Sequence, residues 1–340
     1  MRYSVGYQAR PDWAEEIVRR RESVAEVYFA WPGVANGRGG AAVIAGEDEW
    51  REQEQMRAEL SSIAQAGIDT NLLLNAMCYG AQSQARSFFM ALGGIIDFVS
   101  RNWRTKSVTT TSPLIARFVH ANFPGMEVRA SVNMGVGSVE GMRTVEAYFD
   151  GFYMRRELNR HPAQIERMKK WCDENGKRLH FLANSGCVRD CAMHAFHDTL
   201  VAHEREIAQF DNAYAFEGVC WERLKAPGLR EEYLQNATFV RPEDIGLYEE
   251  WFSVAKLATR TNRDPARVLE AYSNGRYRGS LPALMEPNHE GAFAPDILEN
   301  SALPADFGRR VMECGQRCER CGACKKAFRD ALRKGEGIVC

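Results

Sequence analysis

The chain has 340 residues, 45% of them hydrophobic, and a formal net charge of −1. That length allows one large domain or two ordinary ones with a substantial core, and the near-neutral balance excludes a strong overall field while leaving room for a local basic patch. No run of about 18 apolar residues occurs and no apolar leader opens the chain, so the expectation is a cytoplasmic protein with no membrane partner.

Residues 3–7 alternate as a short strand, and Pro11 with Asp12 opens a helix. A second strand, VAEVYFA at 24–30, runs into WPGVANGRGG at 31–40. The glycine spacing there fits neither G-x-G-x-x-G nor G-x-x-x-x-G-K-S/T, so the segment reads as a mobile mouth loop. A helix over 47–66 stops at Gly67, a strand over 69–75 follows, and an apolar helix begins near Ser83. Strand 106–110 precedes a helix capped by Ser112 and Pro113. Strand 127–132, helix 138–148, strand 150–154 extending to Arg155-Arg156-Glu157, and helix 161–175 come next. RLHFLANSGCVRDC at 178–191 reads as a buried strand that delivers two cysteines to its carboxyl end.

Beyond it lie a helix over 194–209, an apolar strand over 213–220 ending in Cys220, a strand over 239–244, and FSVAKLA at 252–258, placed to close a ring. Strand and helix alternate about seven times with short connections, which predicts a parallel α/β fold. The count favours a TIM-like (β/α)8 barrel over a doubly wound sheet, and no glycine-rich fingerprint follows the first strand. The expected organisation is a barrel over 1–261, a wrapping helical and loop extension over 262–305, and a cysteine-rich tail over 306–340.

Ten cysteines in a cytoplasmic chain point to metal or redox chemistry before a disulfide framework. In a parallel barrel all strands end on one face, where sites are built. Cys78, Cys187, Cys191 and Cys220 are each expected near such an end and form one candidate ligand set. Soft thiolates favour iron–sulfur or zinc over hard cations. Cys314, Cys318, Cys321 and Cys324, in CGQRCERCGAC, form a second set by spacing alone. Zinc sites usually pair two C-x2-C units across a longer loop, whereas this tight run is nearer to ferredoxin spacing. Its first three members spell C-x3-C-x2-C, similar to the radical S-adenosylmethionine signature, but the run follows the barrel instead of an early strand. Cys172, inside an apparent helix, reads as a buried core thiol.

Glu157 is a candidate base at a strand end, with a rim ion pair to Arg155 or Arg156 as its alternative. Asn75, Asn133 and Asn184 recur at strand ends and are candidate cofactor-binding or turn residues. His194 and His197 are placed to share a helix face, and no H-E-x-x-H is present. The basic tail residues Arg317, Arg320, Lys325, Lys326, Arg329 and Arg333 are available to RNA or a protein partner, or form a solvated face.

The order RRELNRHPAQIERM, then N-S-G-C-V-R-D-C, then FVRPEDIGLYEEWFSVAKLATR resembles the U32, or collagenase-like, peptidase family across about residues 106–285. The resemblance implies a TIM-like barrel with a [4Fe–4S] cluster at its mouth. The cysteine-rich tail departs from the family's core pattern and suggests a specialised branch; its second [4Fe–4S] or zinc centre is expected from the cysteine spacing alone. The family includes peptidases, proteins of oxygen-independent ring hydroxylation, and hydroxylases of RNA pyrimidines. By the same resemblance Lys256 and Arg260 lie on the last barrel strand and are candidate catalytic residues for an anionic substrate. Of the peptidase signature only Ser185-Gly186-Cys187 is present. The expectation is therefore an iron–sulfur enzyme of oxygen-independent redox modification such as hydroxylation, acting on a small molecule or RNA with a protein partner or electron donor. A collagenase-like peptidase and a metal-stabilised scaffold are the alternatives.

Overall fold

The computed structural model describes residues 1–37, 47–212, 214, 216 and 218–335, without the side chains of 47–50 and 227. Residues 38–40 of the expected mouth loop and Cys340 lie outside the described residues, as do 213, 215 and 217 of the strand expected before Cys220.

Eight strands form one parallel sheet: β1 (Arg2–Gly6), β2 (Val24–Ala30), β3 (Asp69–Leu74), β4 (Thr105–Thr110), β5 (Glu127–Ala130), β6 (Gly151–Tyr153), β7 (Arg178–His180) and β8 (Val254–Lys256). Their order is β7-β6-β5-β4-β3-β2-β1-β8. The ring closes just past β7, where Leu182 bridges Lys256 in parallel and the Ala183 N–H donates to the Lys256 carbonyl at 2.9 Å. This is a TIM-like (β/α)8 barrel, its strands joined by crossover helices that include α1 (Pro11–Arg19), α2 (Glu47–Gln65), α3 (Arg86–Asn102), α4 (Pro113–Asn122), α5 (Val139–Arg143) and α6 (Pro162–Glu174).

Strand alternation divides the side chains between two environments. Val5, Val27, Phe29, Leu72, Leu74, Val108, Val128 and Phe152 face the helices and are fully buried. Each contributes about 1.5–3 kcal/mol of apolar burial. The helices answer with stripes at helical spacing: Trp13 and Ile17, then Leu92, Ile96 and Val99, then Ile115 and Val119. The same core continues into the later chain through Leu281, Phe293, Phe307 and Phe328.

Several elements differ from the sequence reading for local reasons. β5 stops at Ala130 because the Ser131 hydroxyl accepts from the Asn133 N–H at 3.2 Å and opens a 3-10 turn. β6 stops at Tyr153, so Glu157 sits in the 3-10 segment Arg156–Arg160 and not on a strand. The helix expected over 194–209 is divided at His203 into α7 (His194–Ala202) and α8 (Glu204–Ile207). No strand forms over 239–244: Pro242 enters the 3-10 helix Pro242–Tyr248, and Arg241 folds back on Asp244 at 2.6 Å. Cys220 does not end a strand; it is the second residue of helix Val219–Lys225.

Candidate active site at the barrel mouth

The inward positions of the strands carry polar and charged groups where a barrel of this kind ordinarily packs branched aliphatics. Arg129 on β5 reaches across the lumen to both carboxylate oxygens of Glu26 on β2, each at 2.8 Å, and donates to Glu127 at 2.8 Å. The Ser4 hydroxyl donates to Glu26 at 2.7 Å, and Thr109 donates to Asn71 at 3.0 Å. Burial alone would raise Glu26, but Arg129 and the Ser4 bond hold it below the usual carboxylate range. His180, beside Glu127 at 3.6 Å, is pushed down by burial and by Arg129.

Toward the carboxyl ends of the strands lies Lys256. Its ammonium sits 4.0 Å from the centroid of the Tyr28 ring and 4.8 Å from that of Tyr153. Burial lowers its pKa to about 7; Glu26 opposes the shift, while Arg260 and Arg129 add to it. A lysine so placed can give or take a proton near neutrality. Above it, Arg156 is buried and donates to Asn133 Oδ1 at 2.9 Å and to His194 Nε2 at 2.7 Å. Arg260 donates to Asn36 Oδ1 at 2.7 Å. Three cationic side chains thus belong to one mouth, which favours an anionic ligand.

The three asparagines have distinct surroundings. Asn75 Oδ1 accepts from the Gly37 N–H at 3.0 Å. A Cβ on Gly37 would lie 2.6 Å from Asn133 Nδ2 and 2.8 Å from Asn75 Nδ2, so any other residue there would make those amides shift. Asn184 is fully buried; its amide donates to the carbonyls of Ala258 and Leu284 at 2.9 and 2.8 Å, and its oxygen accepts from the Ala258 N–H at 2.6 Å. It ties the segment after β7 to the residues just past β8 and to the 3-10 turn Leu281–Leu284, a structural duty. Glu157 lies 3.5 Å from Arg155, the rim ion pair weighed as its alternative.

The loop after Asn184 carries the thiols. Gly186 donates to the Glu286 carbonyl at 2.9 Å and lies so close to the Pro287 carbonyl that no Cβ fits between them. Asp190, at φ 55°, turns the chain between Cys187 and Cys191. Cys220 is within electrostatic reach of both: burial and then Cys187 and Cys191 push its thiol up to about 11. Gly218 packs against Cys220 Sγ on one side and the His197 ring on the other. Thiols from two segments therefore act on one another electrostatically; thiolates are the ligands that iron–sulfur clusters take.

Cys78 has partners of its own. Its thiol pairs with His203 and accepts from the Gly80 N–H at 3.3 Å. His203 Nδ1 in turn meets Glu206 at 2.9 Å. The His203 bond, then the Gly80 bond, lower the Cys78 thiol, and Cys78 and Glu206 raise His203. Cys172 is a buried core thiol beside Met142, at 3.8 Å, raised to about 12 by burial.

The tail cysteines form a second neighbourhood, in which Cys314, Cys318 and Cys321 all act on Cys324. Among the described residues no group of three or more His, Cys, Asp or Glu side chains is placed to hold a metal ion. Lys325 and Arg329 of the tail pair with Glu232 and Glu231 at 3.1 Å each. A cavity of about 970 Å³ is lined by Arg241, Arg267 and Tyr277 among others and by none of the candidate residues. Two of its arginines are already paired, with Asp244 and Asp264, so the thiol-bearing mouth remains the site on chemical grounds. No described helix is long and apolar enough to cross a membrane.

Glu26, Arg129, Tyr28 and Tyr153 escaped the sequence reading, which gave Arg156 only as an ion-pair partner of Glu157 and His203 as a surface residue. The signal for these four was parity: each holds the inward position of its strand, as in V-A-E-V-Y, where Glu26 and Tyr28 alternate with Ala25 and Val27.

No protein-family model matches the chain. It is 23% identical over 286 residues, 82% of either protein, to a Methanocaldococcus jannaschii protein named Uncharacterized protease MJ1657. The solved U32 peptidase Mk0906 superposes with a TM-score of 0.52 at 13% identity, over 75% of this chain and 92% of that one. The second likeness is one of fold, and with the first it supports the U32 peptidase resemblance read from the motifs.

Proposed function

We propose that the protein is an iron–sulfur enzyme of the U32-like barrel class that carries out, or assists, an oxygen-independent redox modification such as hydroxylation of an anionic small molecule or RNA. What supports this reading is that Cys187 and Cys191 act electrostatically on Cys220 beside a polar barrel lumen, in a chain carrying the U32-like motifs. A bound [4Fe–4S] cluster would supply one-electron chemistry there. Arg156 and Arg260 would hold the anionic part of the substrate. Lys256 would move a proton near neutral pH, and the Glu26–Arg129 pair would set the field beneath it. The test is iron and sulfide content with anaerobic electron paramagnetic resonance, on the full chain and on Cys187→Ser. The variant is expected to lose the mouth signal; iron content and spectrum equal to the parent would remove the mouth cluster from the reading.

A second reading, a collagenase-like peptidase, is favoured by the Cys78–His203–Glu206 arrangement, in which a base meets a thiol and is itself oriented by a carboxylate. It predicts cleavage of denatured collagen by iron-free protein, abolished in Cys78→Ser. Cleavage that is absent in the parent protein, or unchanged in the variant, excludes it.

A further inference from the structure

Among the described residues Lys256 is the only buried lysine. It stands on the inward side of β8 with Tyr28 of β2 and Tyr153 of β6 as walls, its nitrogen 4.0 and 4.8 Å from their ring centroids. Both rings are themselves held. The Tyr28 hydroxyl donates to the Leu257 carbonyl at 2.8 Å and accepts from the Thr259 N–H at 3.2 Å, and Tyr153 stacks on His180 at 4.9 Å. Among the described residues the Lys256 nitrogen has no hydrogen bond and no ion pair. A buried lysine with a purely structural duty is ordinarily paired with a carboxylate; this one is left with aromatic faces and an uncommitted nitrogen.

Arg156, three residues past Tyr153 toward the mouth, is buried as well. Its bonds go to Asn133 Oδ1 at 2.9 Å and His194 Nε2 at 2.7 Å, not to a carboxylate, and its Nε has no partner. A buried guanidinium without a carboxylate is costly, and an anionic ligand would offset that cost.

We propose that Lys256 is a covalent catalytic residue, forming an imine with a small aldehyde or ketone whose anionic group rests on Arg156. The uncharged amine adds to the carbonyl carbon, and one of its protons passes to the carbonyl oxygen. The carbinolamine then loses that oxygen as water, together with the second nitrogen proton, and a C=N bond remains. Atoms balance with no oxidant or reductant. Burial brings the amine to about 7, so about half of it is uncharged at neutral pH, against roughly one in three thousand for an exposed lysine. The inference rests on the proposed function only for the place of Lys256 in the site. It needs no cluster, so the two readings fail separately.

The test treats the full, folded chain at pH 7 with glyoxylate and sodium cyanoborohydride, which reduces an imine to a stable secondary amine. Peptide mass spectrometry then gives the labelling rate at each lysine. Lys256 should be labelled about tenfold or more faster than the exposed Lys106 and Lys170, and the advantage should vanish in urea. Lys256→Arg should lose the fast label and keep the slow ones. Propanal, which carries no charge, should give a smaller ratio of Lys256 to Lys106 labelling than glyoxylate does. Equal ratios would overturn the place given to the anion. Labelling of Lys256 no faster than of Lys106 in the folded protein would overturn the imine itself, whatever the iron content.

Discussion

Replacing Lys256 by methionine should flatten the pH dependence of stability above neutrality. The ammonium is buried over two tyrosine rings, and burial, only partly opposed by Glu26, lowers it from 10.5 to about 7. Below pH 7 the folded and unfolded chains both carry this proton, and the full burial penalty is present. Between pH 7 and 10.5 the unfolded chain keeps a proton that the folded chain has lost, so stability rises with pH by about 1.36 kcal/mol per unit. The whole span amounts to about 5 kcal/mol, and roughly 2.5 kcal/mol of it falls between pH 6 and pH 9. Methionine has a similar reach and no proton to lose. Urea unfolding of both proteins at a series of pH values should therefore show the parent gaining about 2.5 kcal/mol on the variant across that interval. Equal slopes would mean that Lys256 titrates like an exposed lysine, and its role as a proton carrier near neutrality would fall with that result.

Other consequences follow from single contacts. Glu26→Gln leaves Arg129 buried with Glu127 as its remaining carboxylate and should cost about 3–5 kcal/mol in chemical unfolding. It should also lower the Lys256 pKa further, because Glu26 is the strongest group holding it up. Gly186→Ala forces a methyl into the Pro287 carbonyl and should cost about 1–3 kcal/mol, read as a lower melting temperature. Cys172→Ala should leave iron and sulfide content unchanged, since that thiol, on α6, packs beside Met142 of α5; a loss of iron would place it in a centre.

Much of the barrel was legible because its strands are short, alternating and bounded by turn residues. β2 runs from Val24 to Ala30 as the sequence reading has it, and the 252–258 stretch closes the ring through Lys256. What failed were elements decided by side chains acting locally on the backbone. The Ser131 hydroxyl ends β5 early, and the Arg241–Asp244 pair turns an expected strand into a 3-10 helix. Cys220 was placed at a strand end from its apolar approach, but the helix that begins at Val219 takes it. Cys187 and Cys191 still act on it electrostatically, whichever element carries it.

The polar lumen was hidden for a different reason. Glu26 and Arg129 lie 103 residues apart, and neither is unusual in its own segment. Their meeting depends on closure of the ring, which gives inward parity a meaning that an open sheet would not. A charged residue at that parity is costly unless another strand supplies its partner. Glu26, Arg129, His180 and Lys256 each occupy such a position on a different strand. Once a sequence reads as a closed barrel, charges at inward positions on separate strands are thus the first place to look for its chemistry. The cysteines, conspicuous as they are, mark only the rim of that space.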